Sequence, residues 1–252
     1  MIRALRVARR LSQEELAHRA SVSTRHLSYL ENGRALPSHA MVLSLGSALE
    51  LPLRERNTLL IAAGFAPVYR VSPLDDPAMA HVDQALTRIL GFQEPHPAIL
   101  LDRLWNVLRF NAGAIRLFLW CGVNIAPGAP VNAHRVLFDQ RLGLRQWLVN
   151  FDDIADATLE RLRTEADVDP SLQELLRELE GLRGEHRPRP EAQGPGPVAI
   201  PVHVRCKGRE LRYFTTITTL GTPLDVTAQE LRIESFFPMD EATEAFAQEL
   251  AR

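Results

Sequence analysis

Residues 11–38 read LSQEELAHRASVSTRHLSYLENGRALPS, and this stretch spells two short helices joined by a tight turn. Ser12 is a good N-cap, Glu15 three residues later completes a capping box, and Leu11 can meet Leu16 as a hydrophobic staple. Leu16, Ala17 and Ala20 supply the apolar face of this helix, which stops at Ser21. Ser23 caps the next helix, with Val22 and Leu27 as a second staple. At about 100° per residue, Leu27 and Leu30 share one face while Thr24, Arg25, Ser28 and Tyr29 take roughly the opposite one. Asn32-Gly33 ends the helix, Pro37 keeps it from resuming, and Ser38 caps another.

Ser12-Gln13-Glu14-Glu15-Leu16-Ala17, Val22-Ser23, Glu31-Asn32-Gly33-Arg34 and Pro37-Ser38 resemble the pattern of the phage-repressor/Cro-like (XRE) helix-turn-helix family. That resemblance implies a reader of double-stranded DNA. The sequence departs from the pattern at Ser21, where the family usually has Gly at the turn and where a left-handed Ser costs on the order of 1 kcal/mol. It departs again at its first helix, for which only Ile2 to Arg10 are available.

Arg25 is the residue best suited to a base edge, because a guanidinium pairs bidentately with guanine O6 and N7; Thr24, Ser28 and Tyr29 stand beside it as further base contacts. An Arg on a phosphate is the plainer alternative. Gln13, Ser23, Asn32 and Arg34 match positions where the family typically holds phosphates, and Arg6, Arg9 and Ser38 complete the candidate phosphate set. Glu31 reads as structural, bonding the following loop. Charge agrees with this reading: residues 1–70 carry ten Arg against five Glu, a net of +5, so the rest of this chain of net charge −2 carries −7.

The length of 252 residues suits two domains, and 46% hydrophobic with 24% charged residues is an ordinary globular composition. Ser38 to Glu50 and Leu53 to Ala63 add helices, five in all with the first. The expected reader therefore spans 1–64, and the Pro-rich stretch 65–78 reads as a linker. From Met79 the pattern is a helix to Leu90, strands at Ala98–Leu101 and Asn106–Phe110, a helix at Ala112–Trp120, and a helical block from Ala133 to Leu182 broken near Gly143 and at Asp167–Pro170. Residues 181–197, rich in Gly and Pro, read as a mobile loop. Beyond it the period falls to two, giving strands at 198–206, 211–220 and 231–238, a Lys207-Gly208 hairpin turn, and a last helix from Glu241 to Ala251. The predicted fold is an all-α helix-turn-helix domain followed, at 79–252, by an α+β PAS-like domain with a five-stranded antiparallel sheet.

NAHRVLFDQRLGLRQWLVNFDDIADATLERLRTEA (132–166) and RYFTTITTLGTPLDVTAQELRIESFFPMDEAT (212–243) are similar to the MmyB-like ligand-binding domain of bacterial regulators. The resemblance implies a PAS-like sensor holding an apolar ligand such as a fatty acid. Its most recognisable piece, Gly221-Thr222-Pro223-Leu224-Asp225-Val226-Thr227, is explained by a structural turn as well as by a ligand contact, and the turn is the expectation here. Phe110, Phe118, Phe138, Trp147, Phe151 and Phe214 are the candidate pocket residues.

Nothing comparable points to catalysis. There is no GxSxG, phosphate-binding Gly loop or HExxH; His96, His134 and His203 read as surface or satisfied structural histidines, and Asp152-Asp153 point to different helix faces. Cys121 and Cys206 lack metal-ligand spacing, so neither metal nor cofactor is expected. No stretch reaches the ~18 apolar residues of a membrane span, and the expectation is a cytoplasmic homodimer on a pseudo-palindromic operator. The competing readings are a DNA-binding protein whose second domain grips another protein, and an enzyme acting on a small metabolite.

Overall fold

A computed structural model describes residues 1–123, 130–141, 144–184 and 199–252, which form two compact units. One unit comprises Met1–Ala80 together with Leu220–Glu230; the other comprises His81–Thr219 and Leu231–Arg252.

The first unit has five short helices: α1 (Ile2–Ala8), α2 (Gln13–Arg19), α3 (Thr24–Glu31), α4 (His39–Ala48) and α5 (Leu53–Ala62). Each of α2 to α4 starts at the expected serine. The Ser12 hydroxyl accepts from the Glu15 N–H at 3.1 Å while the Glu15 carboxylate accepts from the Ser12 N–H at 2.7 Å, a complete capping box. Ser23 and Ser38 accept from the N–H groups of His26 and Met41. Leu16, Leu27, Leu45, Leu49 and Leu60 are fully buried between these helices. Between α2 and α3, Ser21 does take the left-handed conformation, with φ 57°. The Val22 N–H closes that turn on the Ala17 carbonyl at 2.9 Å.

Glu31 joins α3 to the helices before it rather than to the loop after it. Its carboxylate, 1% exposed, accepts from Arg6 at 2.7 and 3.0 Å and from the Gln13 amide at 2.7 Å. The Arg6 hydrogen bond, above all, holds this carboxyl below the ordinary carboxylate range against the opposing effect of burial. Within the stretch expected to be a linker, Val68 and Tyr69 are bound to Asn57 of α5: both N–H groups donate to its Oδ1, and its Nδ2 donates to the Tyr69 carbonyl.

The second unit runs α6 (Ala80–Phe92), β1 (Ala98–Leu101), β2 (Val107–Phe110), α7 (Ala112–Cys121), α8 (Ala133–Phe138), α9 (Phe151–Val168), α10 (Gln173–Arg183), β3 (Val202–Cys206), β4 (Arg209–Thr218), β5 (Arg232–Pro238) and α12 (Glu241–Leu250). A further helix, α11 (Val226–Glu230), falls between β4 and β5 in sequence and belongs to the first unit. The sheet is antiparallel throughout, in the order β2-β1-β5-β4-β3, the five-stranded arrangement expected. Lys207 and Gly208 both have positive φ, 47° and 77°, as a two-residue hairpin turn requires. In register, Ile99, Glu234 and Ile217 lie side by side, as do Phe236 with Thr215 and Tyr213 with Val202. At the start of α7, the Asn111 side chain caps the Ala114 N–H and also accepts from the Ala98 N–H of β1. Gly113 of α7 sits so close to the preceding loop that a Cβ would stand 2.4 Å from the Pro95 carbonyl oxygen.

Two further expectations change. Residues 181–183 end α10 rather than beginning a loop, because Arg183 is buried and pairs with Asp152 at 2.7 Å and Asp156 at 3.1 Å; residues 185–198, like the expected break at Gly143, lie outside the described residues. The GTPLDVT piece is not a simple turn either, since Asp225 caps α11 by accepting from the Ala228 N–H.

The segment Leu220–Glu230 completes the first unit. Pro52 precedes α5 and has no side-chain oxygen with which to cap it. Gln229, 176 residues away, does so instead, its Oε1 accepting from the Leu53 N–H at 2.7 Å. Arg54 forms a two-point pair with Glu230 at 2.6 and 2.9 Å, the Val226 N–H donates to the Arg70 carbonyl, and the Ser72 N–H donates to Asp225.

Because Ser21 carries a Cβ in the left-handed region, Ser21→Gly is expected to stabilise the protein by up to about 1 kcal/mol. Urea denaturation followed by circular dichroism would show it as a higher midpoint at unchanged slope, and a lower midpoint would mean that the freedom Gly adds to the unfolded chain outweighs the strain relieved at the turn.

Candidate functional site

The outward side of α3 carries Thr24 and Arg25, both exposed, with Ser28 and Tyr29 half-buried behind them. Arg25 lies along its own helix, its guanidinium carbon 5.5 Å from the Tyr29 ring centroid and its Nε donating to the Tyr29 hydroxyl at 3.0 Å. The stem is thereby held, and the two terminal nitrogens, which no bond engages among the described residues, keep the fork a base edge or phosphate needs. Arg34 is exposed and makes no ion pair among the described residues.

Other members of the expected phosphate set are engaged within the fold. Arg6 is the clear correction: its Nε and Nη2 go to Glu31, its Nη1 goes to the Leu11 carbonyl at 2.8 Å, and its side chain is 11% exposed. Three of its five N–H donors are thus engaged inside the fold. Arg9 reaches Glu55 at 3.4 Å, and Gln13 uses one N–H on Glu31. The hydroxyls of Ser23 and Ser38 serve as caps, and the Asn32 amide donates to the Ser28 carbonyl at 2.8 Å. Ser23, Asn32 and Ser38 remain exposed.

The second unit holds a partly open cavity of about 170 Å³. One wall is the inner face of the sheet, with Ile99, Phe110, Val202, Val204, Tyr213, Thr215, Glu234 and Phe236; α7, α8 and α9 supply Leu117, Phe118, His134, Val136, Ile154, Thr158 and Arg161 opposite. One water needs roughly 10–15 Å³, and an apolar cavity of ~150 Å³ can hold benzene, so this space is sized for an organic molecule.

Phe110 and Phe118 line the cavity in an edge-to-face pair 5.8 Å apart. The other four expected pocket aromatics do not. Phe138 and Phe151 pack on each other in the solid core at 5.6 Å, and half-buried Trp147 packs beside it. Phe214 lies on the opposite face of β4, 37% exposed and stacked on Phe237, because alternation directs its neighbours Tyr213 and Thr215 inward. Phe236 of β5 lines the cavity as well.

Sequence reasoning missed the polar members of the lining. Glu234 projects from the middle of the central strand; burial pushes its carboxyl above the ordinary range, opposed by the charge of Arg161 and a hydrogen bond from Thr215. His134 is neither a surface nor a satisfied histidine. It is buried against Trp105, ring centroids 4.4 Å apart, and its Nε2 has no hydrogen-bond partner among the described residues. Desolvation, helped by the charges of Arg161 and Arg232, lowers its pKa to about 3.

Among the described residues no group of His, Cys, Asp and Glu is placed to hold a metal ion, and no helix is long and apolar enough to cross a membrane. Cys121 and Cys206 are both buried as free thiols. Comparison with known proteins adds two family matches: the MmyB-like transcription regulator ligand binding domain over residues 82–250, and a helix-turn-helix domain over residues 1–59. No curated protein matches the chain.

His134 has a testable pH consequence. Its pKa is about 3 folded against 6.5 unfolded, so between these values the unfolded chain binds the extra proton and stability falls as pH falls. Each pH unit below 6.5 is expected to cost up to about 1.4 kcal/mol through this group, a slope that His134→Phe should remove. Urea denaturation at pH 4.5 and 7 measures it, and an unchanged slope in the variant would contradict the assignment.

Proposed function

The chain belongs to the family of MmyB-like transcription regulators, and from that premise we propose a cytoplasmic, sequence-specific DNA-binding protein whose C-terminal domain senses a small apolar molecule of the fatty-acid kind. The observation that carries the reading is the apolar cavity on the inner face of the sheet, in a chain whose other unit presents Arg25 and Arg34 to solvent. A long acyl chain gains roughly 0.8 kcal/mol per buried CH₂, so it can bind tightly with few polar contacts. Base reading falls to Arg25 with Thr24, Ser28 and Tyr29; phosphate contacts fall to Arg34, Asn32, Gln13, Ser23, Ser38 and Arg9. The working state is a homodimer with its two α3 helices about 34 Å apart on a pseudo-palindrome.

A ligand alters DNA affinity only through its difference in affinity between DNA-competent and incompetent states. β4 and β5 supply cavity residues Tyr213, Thr215, Glu234 and Phe236, and the chain between these strands is the segment that caps α5. This continuity supports a route for the signal along the backbone itself.

Genomic fragments retained by the full-length protein, once sequenced, would supply the operator. On it, Arg25→Ala is expected to cost about 1–3 kcal/mol and relax base preference, whereas Arg34→Ala should weaken all sequences alike. Binding should also weaken steeply with salt, since each neutralised phosphate releases counterions. Equal loss on operator and random DNA would remove Arg25 from base reading. Mass spectrometry of an extract of the purified protein should reveal a retained apolar molecule, and titrating dodecanoic acid should shift operator affinity. Glu230→Ala should reduce that shift while leaving the acid's own Kd unchanged; retention of the full shift would redirect the route elsewhere.

A further inference from the structure

Glu234 stands on the inner face of the central strand, flanked in register by Ile99 and Ile217 and followed on that face by Phe236. Among the described residues it is the one acid of the cavity lining, and no ion pair engages it. A carboxyl in such surroundings is unfavourable unless a cation or several hydrogen bonds compensate it, and the sheet itself supplies the Thr215 hydroxyl. Aromatic rings line the same space in two edge-to-face pairs, Phe110 with Phe118 at 5.8 Å and Tyr213 with Phe236 at 6.2 Å. The face of such a ring carries the negative part of its quadrupole, so rings gathered about a carboxyl suit a positive charge. The other ionisable side chains of the lining oppose this little. Tyr213, its phenol pushed up by burial, and His134, with a pKa of about 3, are both neutral near pH 7. Arg161 is an exposed residue of α9, and water screens its charge.

We propose that Glu234 makes the cavity a site for small lipophilic cations, an ammonium group on an aromatic or alkyl body, as a second class of ligand. This rests on the reading of the cavity as a ligand site. The carboxylate and the ammonium cancel each other's charge, and the rings receive the methyl groups around the nitrogen. An acid in the same cavity has to turn its head away from Glu234, whereas a cation is drawn to it. A body of benzyl size matches the space of about 170 Å³, since an apolar cavity of ~150 Å³ holds benzene.

Calorimetric titration of the full chain with benzyltrimethylammonium, benzyl alcohol, phenylacetate and tetramethylammonium tests this. Benzyltrimethylammonium is expected to bind about tenfold more tightly than the alcohol, the scale of one charge-assisted contact, and phenylacetate more weakly than either. Tetramethylammonium has the charge without the body and should bind at least about tenfold more weakly than its benzyl counterpart. Equal binding of the two ammonium ions would put the cation on the protein's acidic surface and overturn the site. Glu234→Gln should bring the ammonium-to-alcohol ratio near one with alcohol binding retained. A ratio unchanged in that variant would overturn the proposal and leave the cavity reading intact. So would alcohol or phenylacetate binding to the wild type as tightly as the benzyl ammonium does. Binding of none of the benzyl compounds would instead remove the cavity reading, and this inference with it.

Discussion

An antiparallel sheet with an apolar inner face must be covered, and in the second unit the manner of covering decides everything else. Ile99, Val204 and Tyr213 are buried, yet together with the half-buried Phe110, Thr215, Glu234 and Phe236 they face a space between the sheet and the helices. A well-packed core would not leave such a gap. An apolar molecule seated there would supply the contacts that its lining lacks in the free protein.

The first unit depends in the same way on one buried group. Glu31, at the end of α3, gathers Arg6 from α1 and Gln13 from α2, so the angle at which α3 presents Arg25 and Tyr29 is set from behind by a charge cluster. A buried pair of this kind contributes little net stability, because desolvation offsets attraction, but removing one partner strands the other. Its value lies in holding α3 in one orientation.

Much of this was legible in the sequence. The serine caps, the Lys207-Gly208 turn and the strand periods have local causes, and the elements fall within a residue or a few of where those causes put them. The left-handed Ser21 was legible for the same reason. What could not be read has non-local causes. Arg6 looks like any basic residue on an early helix until Glu31, 25 positions later, is placed against it. Glu234 alternates with Ile233 and Ser235, so a one-sided sheet would assign it to water; the unbroken apolar Ala98–Leu101 of β1, buried at every position, was the sign that both faces are covered. Phe214 was misplaced although its own alternation with Tyr213 and Thr215 carried the answer. The role of Gln229 had no local signal, since its partner is the Leu53 N–H.

That last bond bears on how such regulators can be recombined. Exchange of DNA-binding modules is ordinarily imagined as cutting at the connecting segment, between α5 and α6 here, and joining a foreign effector domain. In this protein the cut would leave the α5 amide without its cap, Arg54 without Glu230 and Ser72 without Asp225, because those partners are encoded inside the other half of the gene. A functional graft has to carry the eleven residues Leu220–Glu230 with the module they complete, and natural exchange has to keep the two halves matched at this segment.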